Sequence, residues 1–207
     1  MANPLALLDS TSAADRDRSR GVETAMLGAL QRRLRVAGLV RVARGMSVFG
    51  EHAAGWLAVG LVGAAVDRNR RRDWLCAVGG VAAAHAASVG VKRVVRRPRP
   101  DDPSVDVLVD TPSRLSFPSS HASSTTAAAV LFGALLGPPA RRTLPVALVP
   151  PMLLSRLVLG VHFPSDVLVG SALGASVAAA TGNLTSRVGS RRGGGRSPIL
   201  GGRAEER

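Results

Sequence analysis

The chain has 207 residues, of which 46% are hydrophobic and 3% aromatic, and its formal net charge is +13. A single cysteine, Cys76, excludes an internal disulfide framework and a cysteine-rich zinc site. Few aromatic side chains are available to stack on the bases of single-stranded nucleic acid. The positive charge indicates an anionic partner, either nucleic acid or a membrane surface, and the distribution of apolar residues decides between them.

The N-terminal quarter of the chain is predicted to lie outside the membrane core. Residues 1–20 are small and polar, and we expect a disordered tail there. Residues 21–49 have the pattern of two amphipathic helices with a break at Gly38, and their five arginines exclude a membrane span. We expect interfacial helices on an anionic leaflet, with a packed surface helix of a soluble domain as the alternative.

Five apolar stretches follow and predict an all-α fold, a polytopic membrane helix bundle with about five transmembrane helices. A bilayer core requires about 20 apolar residues per helix. Arginine-rich loops between the stretches favour a membrane bundle over the core of a soluble protein. We assign residues 50–186 to the membrane-embedded domain and residues 187–207 to a basic flexible tail. The stretches cover residues 53–66, 74–91, 115–140, 144–161 and 167–186.

Three polar groups interrupt or flank these spans. K-R-V-V-R-R-P-R-P follows the second span from Lys92, P-S-S-H opens the third from Pro118, and S-R-L-V-L-G-V-H-F-P-S-D joins the fourth and fifth from Ser155. Ionisable residues at membrane depth mark functional sites by default. Successive spans alternate in direction, so all three groups fall on one membrane face and can form one pocket.

The residue types in these groups suit a multiply anionic ligand. Positive charge comes from Lys92, Arg99 and Arg156. Pro118 is favourable in the first turn of a helix, where the backbone N–H groups of the next residues are directed at an anion. Those residues are Ser119, Ser120 and His121.

A pair of histidines and one carboxylate complete the predicted chemistry. His162 and Asp166 are four residues apart, so the carboxylate can orient the imidazole ring. An oriented histidine acts as a nucleophile or a base, and the second histidine, His121, can act as the acid. The three groups contain no carboxylate cluster for Mg²⁺. The pattern indicates phosphoryl transfer without a metal or other cofactor.

These residues resemble the three signature motifs of the type 2 phosphatidic acid phosphatase superfamily, which includes lipid phosphate phosphatases and vanadium haloperoxidases. The motifs are K-x6-R-P from Lys92, P-S-x-H from Pro118 and S-R-x5-H-x3-D from Ser155. The resemblance covers about residues 50–182, and the only lysine of the chain falls on the motif lysine. The chain departs from the family at Ser120, where glycine is usual and where a serine narrows the pocket.

The resemblance implies a role for each motif residue. His162 attacks phosphorus and forms a phosphohistidine, Asp166 holds His162, and His121 protonates the leaving alkoxide. Ser120 supplies a backbone N–H. The phosphoryl oxygens are bound by Lys92, Arg99, Ser119 and Arg156.

Neighbouring polar residues are interpreted as structural. His85 reads as a core histidine with its hydrogen bonds satisfied, and Glu51 and His52 as an interfacial cap, with a substrate contact as the alternative. A solvated or headgroup-facing surface is expected for three arginines close to Lys92: Arg93, Arg96 and Arg97.

The motifs do not select the substrate. The short chain, basic N-terminus and Arg-rich composition resemble the phosphatases that remove the 5-phosphate of a polyprenyl-linked phosphoribose in arabinan precursor synthesis. A polyprenyl pyrophosphate phosphatase or a phosphatidate or phosphatidylglycerol-phosphate phosphatase is the alternative. From other classes, a haloperoxidase and a non-catalytic membrane assembly protein stay open.

The expected location is the plasma (inner) membrane, as a multi-pass protein. With the three motif cations set aside, each face carries twelve Lys or Arg, so the positive-inside rule does not decide the orientation. We expect the active site on the cytoplasmic face, because an Arg-rich N-terminus is costly to translocate. The expected partners are a lipid phosphate and anionic headgroups, with no nucleic acid and an open oligomeric state.

Overall fold

In the computed structural model of the protein, the backbone is described for residues 4–193 and the side chains for residues 17–184. Short 3-10 turns at Glu51–Ala53 and Arg68–Arg70 separate α2 from α3 and α3 from α4. Within the described backbone there is no β-strand, and the all-α prediction is confirmed. The helices are α1 (Pro4–Leu34), α2 (Ala37–Gly50), α3 (Ala54–Val66), α4 (Arg71–Val95), α5 (Ser120–Leu136), α6 (Pro138–Val158) and α7 (Pro164–Gly193).

The central helix of the bundle is α5, which packs against α4, α6 and α7. Its sequence, SHASSTTAAAVLFGALL, consists mostly of small residues and is buried on every side between Ala122 and Ala129. Small residues allow neighbouring helices to approach closely in a membrane. A β-carbon placed on Gly174 of α7 would lie 2.2 Å from the carbonyl oxygen of Ser123. A β-carbon on Gly170 would lie 2.5 Å from the carbonyl oxygen of Ser119, so the two glycines, spaced as G-x3-G, allow the close contact between α7 and α5.

Two apolar clusters stabilise the bundle. The larger one joins α3, α4, α5 and α7 around Trp56, Trp74 and Phe132, and the indole N–H of Trp56 donates a hydrogen bond of 2.9 Å to Thr125. The smaller cluster packs Ala43 of α2 against Val158, Leu159 and Val161 at the end of α6. The second cluster lies directly before His162 and fixes the loop that carries it.

Three helical segments are long and apolar enough to cross a membrane: Ala37–Val66, Arg68–Val95 and Pro164–Leu184. The first combines α2 and α3 across the turn at Glu51–Ala53. By contrast, α5 has 17 residues, and α6 contains three internal prolines, Pro145, Pro150 and Pro151. The helices are those of a membrane bundle, and the number of five crossings stays a prediction.

The N-terminal segment differs from its prediction. The backbone is helical from Pro4, so the part of the expected disordered tail that the structure describes belongs to α1. The break that was expected at Gly38 lies at residues 35–36. Because α1 contacts α6 and α7, we attribute its helicity to tertiary packing, which a sequence pattern does not reveal.

Two other element boundaries also differ. The third span was expected from Leu115, but α5 begins at Ser120, because Ser119 is its N-cap and its hydroxyl accepts the N–H of Ala122. At the other end, α7 continues to Gly193, inside the expected flexible tail. The rest of that tail, residues 194–207, lies outside the described residues.

Candidate active site

The ends of α2, α4, α5 and α6 surround a cavity of about 560 Å³. The loops around residues 109–115 and 159–163 complete its wall. Two predicted site residues, Ser119 and Asp166, lie behind this wall and are fully buried. The three polar groups of the sequence thus meet at one cavity. Six predicted site residues line it: Lys92, Arg99, Ser120, His121, Arg156 and His162.

His162 lies in the loop between α6 and α7 and is 2% exposed. Its Nε2 is 3.3 Å from Nη1 of Arg99, a group that can only donate, so Nε2 carries the lone pair. Its Nδ1 is 3.5 Å from Oδ2 of Asp166, longer than a hydrogen bond, and has no other partner among the described residues. This tautomer turns a nucleophilic nitrogen toward the cavity and the N–H toward the carboxylate.

Burial lowers the pKa of His162 well below its usual range, because a charged ring loses its hydration there. The positive charges of Arg99 and Arg156 lower this pKa further. The ring is therefore neutral at physiological pH, which is the state a nucleophile requires.

Asp166 sits in the first turn of α7, as expected from Pro164 at the start of that helix. Its Oδ2 accepts the N–H of Phe163 at 2.9 Å, and its Oδ1 accepts Nη1 of Arg97 at 3.0 Å. Its backbone carbonyl accepts the N–H of Ser119 at 2.9 Å, which joins α7 to the N-terminus of α5. The carboxylate beside His162 is thus held by Phe163 and Arg97, and the backbone of Asp166 is held by Ser119.

Two of the predicted cations are held by backbone carbonyls. Lys92 donates to Leu115 and Ser116 at 3.1 and 3.3 Å, which orients the ammonium at the cavity wall. Arg99 donates through Nε to Ser113 at 2.8 Å and through Nη1 to Val161 at 2.5 Å. Burial lowers the pKa of Arg99 to about 10, so its guanidinium stays charged at neutral pH.

Arg156 is the third cation, and it is 1% exposed. Its Nε and Nη1 have no hydrogen-bond partner in the described part of the chain. Burial of a guanidinium whose N–H donors are unpaired destabilises the folded protein unless an anion accepts hydrogen bonds from them. Arg156 is therefore the residue that most directly indicates an anionic ligand for this cavity.

The N-terminus of α5 is arranged differently from the prediction. The N–H of Ser119 is already bonded to Asp166 and its side chain caps α5, so in this structure neither group faces the cavity. The first-turn N–H groups of Ser120 and His121 have no acceptor within the helix and are the ones left to bind an anion. The hydroxyl of Ser120 lies 2.8 Å from that of Ser88 on α4, where it joins the two helices.

His121 connects α5 to α2. Its Nε2 donates to the carbonyl of Ser47 at 2.9 Å, since a carbonyl can only accept. A β-carbon on Gly50 would lie 2.5 Å from Cδ2 of this ring, so the end of α2 packs directly on it. The helix expected outside the phosphatase domain thus contacts a predicted catalytic histidine.

Two interpretations of neighbouring residues are wrong. His85 lines the cavity rather than filling a core position, and its Nδ1 has no hydrogen-bond partner among the described residues. Arg97 is not part of a solvated surface, because its side chain is 14% exposed and bonded to Asp166. The sequence contains little that distinguishes Arg97 as a partner of Asp166, because it is one of four arginines between Lys92 and Pro100.

Glu23 of α1 is a functional candidate that sequence reasoning missed. It accepts a hydrogen bond of 2.5 Å from Arg97 and another of 2.9 Å from the N–H of Ser165. It lies in a segment predicted to be an interfacial helix, where a carboxylate is normally solvated, and no local pattern distinguishes it.

The donor set of the cavity is cationic. Among the described residues, no group of three or more His, Cys, Asp or Glu is placed to hold a metal ion. Lys92, Arg99 and Arg156 together supply the positive charge that a phosphoryl group requires.

Residues 73–189 match the PAP2 superfamily. The chain belongs to this superfamily. Two relatives carry the name decaprenylphosphoryl-5-phosphoribose phosphatase. The one from Mycobacterium tuberculosis is 60% identical over 142 residues, which cover 69% of this chain and 78% of that protein. The one from Mycolicibacterium smegmatis is 55% identical over 155 residues, which cover 74% and 83%.

Two solved structures share the fold. The PAP2-type phosphatidylglycerolphosphate phosphatase of Bacillus subtilis has a TM-score of 0.71 at 21% identity, over 89% of this chain and 94% of that one. LpxE of Aquifex aeolicus has a TM-score of 0.63 at 20% identity, over 76% and 93%. Membership of the PAP2 superfamily confirms the resemblance that the three motifs indicated. The fold shared with the transmembrane protein of Bacillus subtilis confirms a membrane helix bundle.

Proposed function

We propose that this protein is a membrane lipid phosphatase that hydrolyses a phosphomonoester through a phosphohistidine at His162. The single observation that carries the proposal is the environment of that ring. Its Nε2 faces a cavity with three cations, while its Nδ1 faces the carboxylate of Asp166. A neutral imidazole beside an anion site is the arrangement of an activated nucleophile.

Substrate binding would provide acceptors for the buried N–H donors of Arg156. The phosphoryl oxygens would lie between Lys92, Arg99 and Arg156, with the first-turn N–H groups of Ser120 and His121 as further donors. Charge-assisted hydrogen bonds of this kind strengthen as negative charge develops on the phosphoryl oxygens. Ser119 would act as the cap that holds this helix end, rather than as a ligand.

In the first chemical step, the Nε2 lone pair of His162 forms a bond to phosphorus while the bond from phosphorus to the substrate alkoxide breaks. His121 gives a proton to the departing oxygen. For this, His121 enters the step as an imidazolium: its Nε2–H stays on the carbonyl of Ser47, and the proton of Nδ1 is the one transferred. The phosphate anion bound beside the ring favours this charged form. Asp166 stabilises the positive charge that forms on His162.

In the second step, water attacks phosphorus and the bond to His162 breaks. The proton of the water returns to His121, and inorganic phosphate leaves the cavity. The enzyme is thereby restored without any redox change.

We propose the 5-phosphate of decaprenylphosphoryl-5-phosphoribose as the substrate group, in cell-wall arabinan precursor synthesis. The support is the 60% identity to a relative that carries this substrate in its name. A polyprenyl pyrophosphate and a phosphatidate are the alternatives within the same mechanism. We also propose the plasma membrane as the location and the cytoplasmic face for the cavity, because an Arg-rich N-terminal region is costly to translocate.

The test is phosphate release by purified protein in detergent with EDTA present. The polyprenyl phosphoribose 5-phosphate, a polyprenyl pyrophosphate and a phosphatidate are compared side by side, with His162→Ala as the blank. Preference for the first lipid supports the whole proposal, and preference for another keeps the mechanism but replaces the substrate. Folded wild-type protein without any phosphate release would overturn the enzymatic proposal in favour of a non-catalytic protein.

The orientation has its own test. A reporter fused to the C-terminus reads out the face opposite to the cavity if there are five crossings. A cytoplasmic C-terminus would overturn the cytoplasmic placement of the cavity.

A further inference from the structure

A partly buried ion network links α1 to the proposed catalytic carboxylate. Oε2 of Glu23 accepts Nη2 of Arg97 at 2.5 Å, and Nη1 of Arg97 donates to Oδ1 of Asp166 at 3.0 Å. The same Nη1 is 2.7 Å from the hydroxyl of Ser165. The guanidinium of Arg97 thus bridges two carboxylates, that of Glu23 in α1 and that of Asp166, which faces His162.

The network is largely, but not fully, shielded from water, because Glu23, Arg97 and Ser165 also line a second cavity. The side chains of Arg97 and Glu23 are 14% and 18% exposed, and Asp166 is fully buried. The guanidinium carbon of Arg97 also lies 4.1 Å from the ring centroid of Phe163, which removes one face of the group from solvent. Exposed ion pairs contribute little, but pairs that are dehydrated and completed by hydrogen bonds hold their partners in a defined geometry.

Glu23 also caps α7. Its Oε1 accepts the N–H of Ser165 at 2.9 Å, so a carboxylate from α1 satisfies one of the N–H groups at the start of the helix that carries Asp166. Burial raises the pKa of Glu23, but hydrogen bonds from Ser165 and Arg97 outweigh this effect and lower the pKa below its usual value. Glu23 is therefore ionised at neutral pH, as both of its contacts require.

A second polar side chain of α1 holds the other end of the loop that carries His162. Gln31, eight residues after Glu23, is 3% exposed. Its Nε2 donates to the carbonyls of Asp106 and Val158 at 2.8 and 3.0 Å, and its Oε1 accepts the N–H of Asp106 at 3.0 Å. Two polar side chains of α1 therefore fasten the chain just before and just after the loop with His162.

We propose that Glu23 and Arg97 are positioning residues, through which α1 fixes the carboxylate of Asp166 and thereby the ring of His162. This inference rests on the proposed function. It assigns to α1, which the sequence places outside the phosphatase domain, a direct part in the geometry of the reaction. Neither residue lines the cavity of His162, and both act through Asp166.

The test measures phosphate release, the Michaelis constant and formation of the phosphohistidine in the full-length protein in detergent. The variants are Glu23→Gln, Arg97→Gln and Arg97→Lys. Arg96→Lys, next to Arg97 but exposed, and Asp73→Asn, an exposed carboxylate in the α4 N-terminal turn, are the matched controls. Thermal unfolding of every variant shows whether the bundle stays folded.

We expect Glu23→Gln to lower kcat by about tenfold and Arg97→Gln by about a hundredfold, as for loss of a hydrogen bond to a charged group. The Michaelis constant should change by less than about threefold, since the cations of the cavity are untouched. Arg97→Lys should recover part of kcat, because one charged contact to Asp166 is restored. Phosphohistidine formation, rather than its hydrolysis, should be the step that slows.

Double variants distinguish a positioning role of Glu23 and Arg97 from a merely structural one. If both residues act through Asp166, adding Glu23→Gln or Arg97→Gln to Asp166→Asn causes no further loss of kcat. Three results would each overturn this inference. They are a loss of kcat in the double variants equal to the product of the single losses, a change confined to the Michaelis constant, and a kcat equal to that of the control variants. The activity of the wild type would leave the proposed function intact in all three cases. A wild-type protein without phosphate release would overturn both.

Discussion

The contact between α5 and α7 makes a quantitative prediction for Gly170→Ala. A β-carbon at this position would lie 2.5 Å from the carbonyl oxygen of Ser119 and 3.2 Å from its nitrogen. These are backbone atoms that cannot turn aside, and the same carbonyl already accepts the N–H of Ser123 at 3.1 Å. The methyl group can therefore be accommodated only if the two helices move apart at the start of α5.

The size of that movement follows from ordinary contact distances. Carbon and oxygen atoms that are not bonded normally stay at least about 3.3 Å apart, so α5 and α7 must separate by about 0.8 Å. Overpacking of this kind typically costs about 1–3 kcal/mol of stability. The displaced helix end carries Ser120 and His121, and a misplacement of about 1 Å at a reacting centre can lower the rate by about 100-fold.

The assay compares Gly170→Ala with Gly182→Ala, the same change on the same helix. A β-carbon on Gly182 would meet no atom of another segment within 4 Å in the part of the chain whose side chains are described, so this variant should keep its activity and gain helix stability of up to about 1 kcal/mol. We expect Gly170→Ala to melt several degrees lower and to lose between one and two orders of magnitude in kcat/KM. Equal melting temperature and activity for the two variants would refute this account of helix contact.

Two further predictions concern buried charges. Because Nε and Nη1 of Arg156 have no partner among the described residues, Arg156→Met should be at least as stable as the wild type. Inorganic phosphate should raise the melting temperature of the wild type and of the control Arg142→Met, but not that of Arg156→Met. Stabilisation of Arg156→Met by phosphate would contradict this prediction. The lowered pKa of His162 means that the unfolded chain takes up a proton near pH 6.5 while the folded protein does not. Stability should therefore fall as the pH drops from 7 to 5, and less steeply in His162→Gln, as measured by thermal unfolding; equal slopes would contradict the prediction.

The sequence was sufficient to locate the candidate site because its chemistry is local. His162 and Asp166 are brought together by helical spacing across the start of α7, and the cations stand at the ends of apolar runs. Arg99, Ser120 and Arg156 could be placed on one face from the alternation of spans alone. These relations depend on segment length and on spacing within a segment, and both can be read directly from a sequence.

Long-range contacts could not be predicted in the same way. Arg97 finds Asp166 and Glu23 across 69 and 74 residues of chain, and nothing in the local pattern separates it from the exposed Arg96. Likewise, Ser119 looks like a ligand from its motif, yet its N–H is bonded to a residue of another helix. These hydrogen-bond partners depend on which side of a helix end packs against another helix.

The sequence by itself determined the apolar helices, the order of the motifs and the cationic chemistry of the cavity, because burial in a membrane and charge are properties of residue type. Only the tertiary structure decided that α1 packs behind the site. Its helix is held by Glu23 and Gln31 against the loop of His162, and these contacts exist only once distant segments have packed together. Side-chain partners across the bundle are set by geometry in three dimensions, which spacing along the chain does not encode.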